Sequence, residues 1–217
     1  MKTKFVLIFV LIITLISCND TAKKSYDLFA QWTNKKIEFP QDINFYTTNK
    51  DNNILEVKSK VKLLRYIDSS GCSSCKLKLE VWNNFIKQIM KLSDNKCPTI
   101  ITFNPKDDII QTRNFKTILK TSGFDYPIFI DYNDSLNILN NFPSDERFHC
   151  FLLDENNRVI LIGNPVQNPK IKDLYIRTIC ERLGIDTTNI NIAENQKENR
   201  FSFGRFPFSD TMKTQFV

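Results

Sequence analysis

Glycine and histidine are scarce in this 217-residue chain, which holds five Gly, one His and eight Pro. So little glycine and proline, with no fixed repeat period, excludes collagen-like, solenoid and linker-dominated architectures. A structural zinc site takes about four ligands, and the chain offers one closely spaced cysteine pair and the single His149. Haem attachment needs a His directly after a Cys-x-x-Cys pair, but Lys76 stands there. There is no Pro-x-x-x-Thr-x-x-Cys pattern to signal a peroxidatic cysteine. Basic runs are short (Lys23-Lys24, Lys35-Lys36) and lack interleaved aromatics, which indicates a solvated surface rather than a nucleic-acid partner. What the chain does have is 41% hydrophobic and 25% charged residues, a composition suited to one globular domain with short appendages.

The N-terminus carries the first positive signal. Lys2 and Lys4 precede an apolar run from Phe5 to Ile16 that only Thr14 interrupts. This run has the length of a signal-peptide core, about 7 to 15 residues, and is shorter than the roughly 20 needed to span a bilayer. Leu15-Ile16-Ser17-Cys18 then resembles the bacterial lipobox. That resemblance implies cleavage after residue 17, attachment of palmitate-type acyl chains at Cys18, and a mature chain held on the extracytoplasmic side of a membrane in the bacterial cell envelope. Two or more acyl chains make such anchoring stable. Removing Lys2 and Lys4 lowers the formal charge from +6 to +4.

Periodicity organises the remainder. Residues 18–35 read as a polar tether followed by a short helix from Ser25 through Tyr26, Leu28, Phe29 and Trp32. Ile37–Phe39 and Ile43–Tyr46 alternate as short strands, and Val61–Ile67 forms a longer one. A helix follows from about Ser73 to Leu92, with Leu79, Trp82, Phe85, Ile86, Ile89 and Met90 in one stripe. Thr99–Phe103 is the next strand. Asp107–Lys120 is a helix with Ile109, Ile110, Phe115, Ile118 and Leu119 expected inward. Pro127–Ile130 is a strand, Ser135–Asn140 a turn or two of helix, and Cys150–Leu153 and Val159–Ile162 a hairpin through Asn156-Asn157. Pro169 opens a last helix that Gly184 stops, with Leu174, Ile176, Ile179 and Cys180 expected on its buried side.

The order is therefore strand, Cys72-Ser73-Ser74-Cys75, helix, strand, helix, strand, hairpin, helix. A Cys-x-x-Cys where a strand meets a helix in such an α/β pattern is a thioredoxin-like redox signature. A helix N-terminus offers unpaired N–H groups and partial positive charge, which favour a thiolate. Cys72 is thus the candidate nucleophile and Cys75 the resolving thiol. Lys76 and Lys78 add positive potential. Of the other cysteines, Cys97 and Cys180 suit buried positions without chemistry.

From about Ile37 to Leu183 the sequence resembles the TlpA/ResA-like thiol–disulfide oxidoreductases of the bacterial envelope. The resemblance rests on Cys72 and Cys75, on Phe151-Leu152-Leu153-Asp154 and on its hairpin partner Val159–Gly163. It implies an α/β thioredoxin-like fold over residues 36–186, a central mixed β-sheet flanked by helices. It also implies protein thiols or disulfides as substrates and an upstream electron donor or acceptor, with no cofactor. Three positions depart from the family. The cis-proline position holds Phe148 or His149, the acidic residue six before the first cysteine is Tyr66, and Gly71 replaces the preceding aromatic. Asp68 is the alternative proton acceptor. His149 is either a tuning group for the thiolate or an incidental loop residue. Cys150 is either a third redox-active thiol or a small buried side chain.

The tail, residues 187–217, is polar to Asn199 and then Phe-rich, from Arg200 to Phe208 and again at Thr214–Val217. It resembles the opening strands of a bacterial family of immunoglobulin-like domains of unknown function. Too few residues remain for such a domain. Two functions are compatible with the whole: an envelope oxidoreductase, or a non-enzymatic binding or adaptor lipoprotein in which Cys72 and Cys75 form a structural disulfide.

Overall fold

Alternating apolar runs and amphipathic stretches build a six-stranded sheet with helices on both faces. The computed structural model describes Lys23 and residues 26–41, 45–46, 59–68, 78–106, 108–124 and 126–186. The apolar N-terminal run, Cys18, Ser25, Ile43, Cys72, Cys75 and the tail from residue 187 lie outside the described residues. A compact unit runs from Trp32 to Ile190, and residues 26–31, helical by themselves, belong to a separate one.

The strands are β1 (Phe45–Tyr46), β2 (Val61–Ile67), β3 (Thr99–Phe103), β4 (Ile128–Ile130), β5 (Cys150–Asp154) and β6 (Val159–Ile162). The helices are α1 (Leu79–Ser93), α2 (Ile109–Thr121), α3 (Ser135–Asn140) and α4 (Pro169–Leu183). The sheet runs β1-β4-β3-β2-β5-β6. β2, β3 and β4 are parallel, β5 lies antiparallel to β2, β6 antiparallel to β5, and β1 antiparallel to β4. A parallel βαβ unit joined edge to edge with an antiparallel ββα unit, around a shared central β2, is the thioredoxin-like arrangement expected from the sequence.

Burial follows the two-residue period of the strands. Leu63 and Ile67 of β2, Ile101 and Phe103 of β3, and Cys150 and Leu152 of β5 join one core with Trp82, Phe85, Ile86 and Ile89 of α1. The same core takes in Phe115 and Leu119 of α2 and Tyr175, Ile176 and Ile179 of α4. The other face is aromatic: Trp32 meets Phe151 at 5.2 Å between ring centroids, and Phe142 meets Tyr66 at 5.0 Å. Central β2 is therefore buried at all seven positions, including Lys62 and Arg65.

Local chemistry sets the helix ends. Asn168 accepts hydrogen bonds from the N–H groups of Lys170 and Ile171, Pro169 takes the first helical position, and Gly184, at φ 68°, closes α4 in the left-handed region. Asp131, 3% exposed, accepts from the Ser135 and Leu136 N–H groups and from Ser135 Oγ, and so starts α3. In the β5–β6 turn, Asp154 Oδ1 accepts from the N–H groups of Asn156 and Arg158, and Asn157 adopts φ 63°. That is the conformation expected of this Asn-Asn turn.

Four expectations are corrected. Ile109 and Ile110 are 76% and 69% exposed, not inward. Asp108 caps α2 through Ile110 and Gln111, and burial of Thr112, Phe115 and Leu119 sets its rotation. At about 100° per residue, Ile109 and Ile110 then lie roughly 120° and 140° round from Phe115. Leu174 is exposed on α4 for the same reason, and Tyr175 takes the buried place. Residues 37–39 form no strand; only Lys36 makes an isolated bridge, to Arg158. Finally, α1 begins at Leu79 behind a left-handed Lys78, at φ 46° and ψ 44°. A left-handed residue cannot continue a right-handed helix, so α1 is not a continuous helix from residue 73.

None of the described helices is long and apolar enough to cross a membrane. Trp82 is fully buried, edge-on to Phe85. Trp82→Ala is expected to destabilise the fold by about 3–5 kcal/mol, read as a lowered midpoint in urea with an unchanged slope.

Candidate functional site

Three strands of one direction end together, and the segment joining β2 to α1 leaves from that end of the sheet. This segment carries Cys72 and Cys75 and lies outside the described residues, but both of its flanks are described. Asp68, just after β2, and Lys78, just before α1, line the same cleft of about 200 Å³. Buried Arg65, His149 and Cys150 line it too, as do the more exposed Glu146, Asn164 and Gln167.

The ladder between β2 and β5 places these groups. Arg65 pairs directly with Cys150, and the Tyr66 N–H donates to the His149 carbonyl at 2.9 Å. The Cys150 carbonyl accepts from the Gly163 N–H at 3.0 Å and from Tyr175 Oη at 3.2 Å. The first residue of β5 is thus fixed from the strand beside it and from α4. The Arg65 guanidinium lies 4.3 Å from the ring centre of Trp82. Buried cations need a partner, and the indole face supplies one. Burial lowers the Arg65 pKa to about 10, with Cys150 opposing the shift. Burial likewise pushes the Cys150 thiol up to about 12, with Arg65 opposing. Near neutral pH the pair is therefore a guanidinium beside a neutral thiol.

His149 is 6% exposed. Its ring Nε2 donates to the Pro143 carbonyl at 2.7 Å, and the ring stands edge-on to Tyr66 at 5.2 Å. The His149 ring is thus buried and held in one orientation. The described residues contain no cis peptide bond, so Phe148, His149 and Cys150 follow one another through trans linkages. Tyr66 donates its hydroxyl to Asp134 Oδ1 at 2.6 Å. Burial and that carboxylate together raise its pKa.

The structure thus brings together three of the candidate residues, Asp68, His149 and Cys150. Cys97 and Cys180 lie in the core, away from this cleft, and all three described cysteines are free. No group of three or more His, Cys, Asp and Glu side chains among the described residues is placed to hold a metal ion. Arg65 was the residue the sequence pattern passed over. Its signal was a cation at a core-facing position of Val61-Lys62-Leu63-Leu64-Arg65-Tyr66-Ile67, on the same side as Leu63 and Ile67.

No family model matches the sequence, and no curated protein matches it. Among solved structures, the chain is similar to a Bacteroides thetaiotaomicron protein described as a candidate protein disulfide isomerase. That likeness has 16% identity, 69% of this chain and 89% of the other covered, and a TM-score of 0.49. It is also similar to StoA from Bacillus subtilis, at 16% identity, 57% and 90% covered, TM-score 0.42. A thioredoxin-like protein from Porphyromonas gingivalis gives 15% identity, 70% and 95% covered, TM-score 0.44. These likenesses are too remote to assign chemistry. The thioredoxin-like class is defined by the chain's own strand order and register.

Burial also raises the Cys97 thiol and the Tyr126 phenol to about 12. In an unfolded chain such thiols and phenols titrate near pH 8.5 and 10, so at alkaline pH the unfolded state sheds protons that the folded state retains. Stability is expected to fall as pH rises from about 8.5 towards 12, each thiol contributing about 1.4 kcal/mol per pH unit within that window. Urea midpoints at about pH 7.5 and pH 10 check this. In the native protein Cys97, Cys150 and Cys180 are expected to resist iodoacetamide until urea unfolds the chain.

Proposed function

We propose that the protein is a membrane-anchored thiol–disulfide oxidoreductase of the bacterial envelope that exchanges disulfides through Cys72 and Cys75. The observation that carries this reading is the convergence of Asp68 and Lys78, the two ends of the cysteine-bearing segment, on a cleft that also holds Arg65, His149 and Cys150. Two cations, Arg65 and Lys78, line that cleft, and nearby cations favour a thiolate.

In the proposed reaction the Cys72 thiolate attacks one sulfur of a substrate disulfide. A mixed disulfide forms and the other substrate sulfur leaves as a thiolate. Cys75, deprotonated with Asp68 as the proposed proton acceptor, then attacks the Cys72 sulfur and releases the second substrate thiol. The substrate gains two electrons and two protons, and the protein is left with a Cys72–Cys75 disulfide. Run backwards, the same steps oxidise a dithiol, and an upstream electron donor or acceptor resets the pair. Acylation of Cys18 would hold this chemistry on the extracytoplasmic side of a membrane. The positive potential at the cleft is assigned to Lys78 and Arg65, which line it.

A redox titration of the chain beginning after Cys18, with alkylation mapped to each cysteine, is expected to give one reversible two-electron transition at Cys72 and Cys75. Cys75→Ser is expected to accumulate mixed disulfides, and Cys72→Ser to accumulate none. A pair that stays oxidised below about −300 mV and traps nothing would sink the enzyme reading in favour of a structural disulfide. Cys18→Ala is expected to abolish incorporation of labelled palmitate into the full-length chain.

A further inference from the structure

Of the two side chains that escape the core at the start of α2, Ile109 lines a second groove, and Ile110 is the next residue along the helix, 69% exposed. This groove, of about 460 Å³, runs between α2, the edge strand β1 and the residues after β4. Arg113, Lys116 and Lys120 line it from α2, and Tyr46 and Tyr132 face them. Ile109 completes the wall, and no carboxylate is among its lining residues. Lys116 Nζ sits 4.7 Å from the Tyr46 ring centre, so the cations and aromatics form one surface. Of the described carboxylates near it in sequence, Asp108 caps α2, Asp131 accepts from the Ser135 and Leu136 N–H groups, and Asp134 accepts from Tyr66 Oη and Asn137 Nδ2.

Single exposed aliphatics are common on protein surfaces. An exposed isoleucine, Ile109, beside three cations and two tyrosines, with exposed Ile110 next to it in the chain, forms a more specific combination. Protruding aliphatics enter the boundary between lipid headgroups and acyl chains, tyrosines settle at headgroup depth, and Lys or Arg meets anionic headgroups. An acidic protein would match the charge, but it gives no reason for apolar side chains that project beyond the groove. We propose that this face docks on an anionic lipid bilayer, with Ile109 and Ile110 inserted among the headgroups and Arg113, Lys116 and Lys120 against their phosphates. The inference deepens the reading of Cys18 as a lipid-attachment site, since a tether at a bilayer raises the local concentration of that surface.

The test uses the chain from residue 18, which contains every described residue of the fold, with Cys18→Ala so that no acyl group contributes. Binding is measured by co-sedimentation with vesicles of phosphatidylcholine alone, and of phosphatidylcholine and phosphatidylglycerol in a two-to-one ratio. Binding to the anionic vesicles is expected to be at least about tenfold tighter and to weaken as salt is raised. The triple variant Arg113→Glu, Lys116→Glu, Lys120→Glu is expected to lose that preference. Ile109→Ser with Ile110→Ser is expected to weaken binding several-fold while keeping the preference. Unchanged circular dichroism and melting confirm that each variant is folded. Equal binding to both vesicles, or triple-variant binding equal to that of the parent, would overturn the proposal. So would tighter binding to polyglutamate than to the anionic vesicles, which would reassign the groove to an acidic polypeptide. Palmitate labelling of the full-length chain reads the anchor separately, so the anchor and the docking face can fail independently.

Discussion

Burying an ionised side chain without a partner costs several kcal/mol, and β2 buries two of them at the centre of the sheet. Lys62, 1% exposed, solves this by donating to Asn157 Oδ1 at 2.6 Å, with Asp154 and Glu155 close enough to oppose the lowering of its pKa. Arg65, on the opposite face, lies over Trp82 and beside Cys150. The first contact ties β2 to the β5–β6 turn, and the second ties it to α1. A left-handed Asn157 has two functions here, since the conformation that closes the hairpin also carries the lysine's acceptor. The two cations therefore link the strand to the elements on either side of it.

The same strand positions the cleft. Each step along β2 alternates faces, so Arg65 and Tyr66 approach the site from opposite sides of the sheet. Arg65 brings a charge held on an indole, while Tyr66 brings a hydroxyl bonded to Asp134. β5 enters antiparallel at this end, so its first residue, Cys150, and the residue before it, His149, reach the place where the chain leaves β2. The polar character of the cleft thus follows from where strands begin and end.

Much of this fold was legible in the residues. Thr99–Phe103 is filled by β-branched and aromatic side chains, Val61–Ile67 mixes these with leucines and two cations, and both appear as strands over those ranges. Pro169 and Gly184 marked both ends of α4, and Asn157 marked the hairpin. What failed was rotational phase. In α2, counting apolar residues put Ile109 and Ile110 inward, whereas Thr112 took a buried place and turned them to solvent. Leu174 lost its place to Tyr175, whose ring fills the core while its hydroxyl reaches the Cys150 carbonyl. At the site, His149 and Cys150 stand out from the place of the loop before β5 and Asp68 from its place four residues before Cys72, and all three line the cleft. Arg65 was missed because a run that is otherwise apolar hides one buried cation. Lys78 was weighed only as a source of charge, because its left-handed backbone depends on how the chain enters α1, which composition does not encode.

Three free thiols sit in the core at 0–1% exposure, at Cys97, Cys150 and Cys180. Once the chain has folded, packing shields them from any oxidant. Before folding they are as open to reaction as Cys72 and Cys75. In an oxidising compartment the yield of native protein therefore becomes a race between collapse of the sheet and random thiol pairing. β2 and β5 must meet, although more than eighty residues separate their partners Arg65 and Cys150. Pairings this distant in sequence form slowly, so the pairing that seals Cys150 is among the slower ones to form, and a holdase or a reducing supply during that interval would raise the yield more than any gain in final stability.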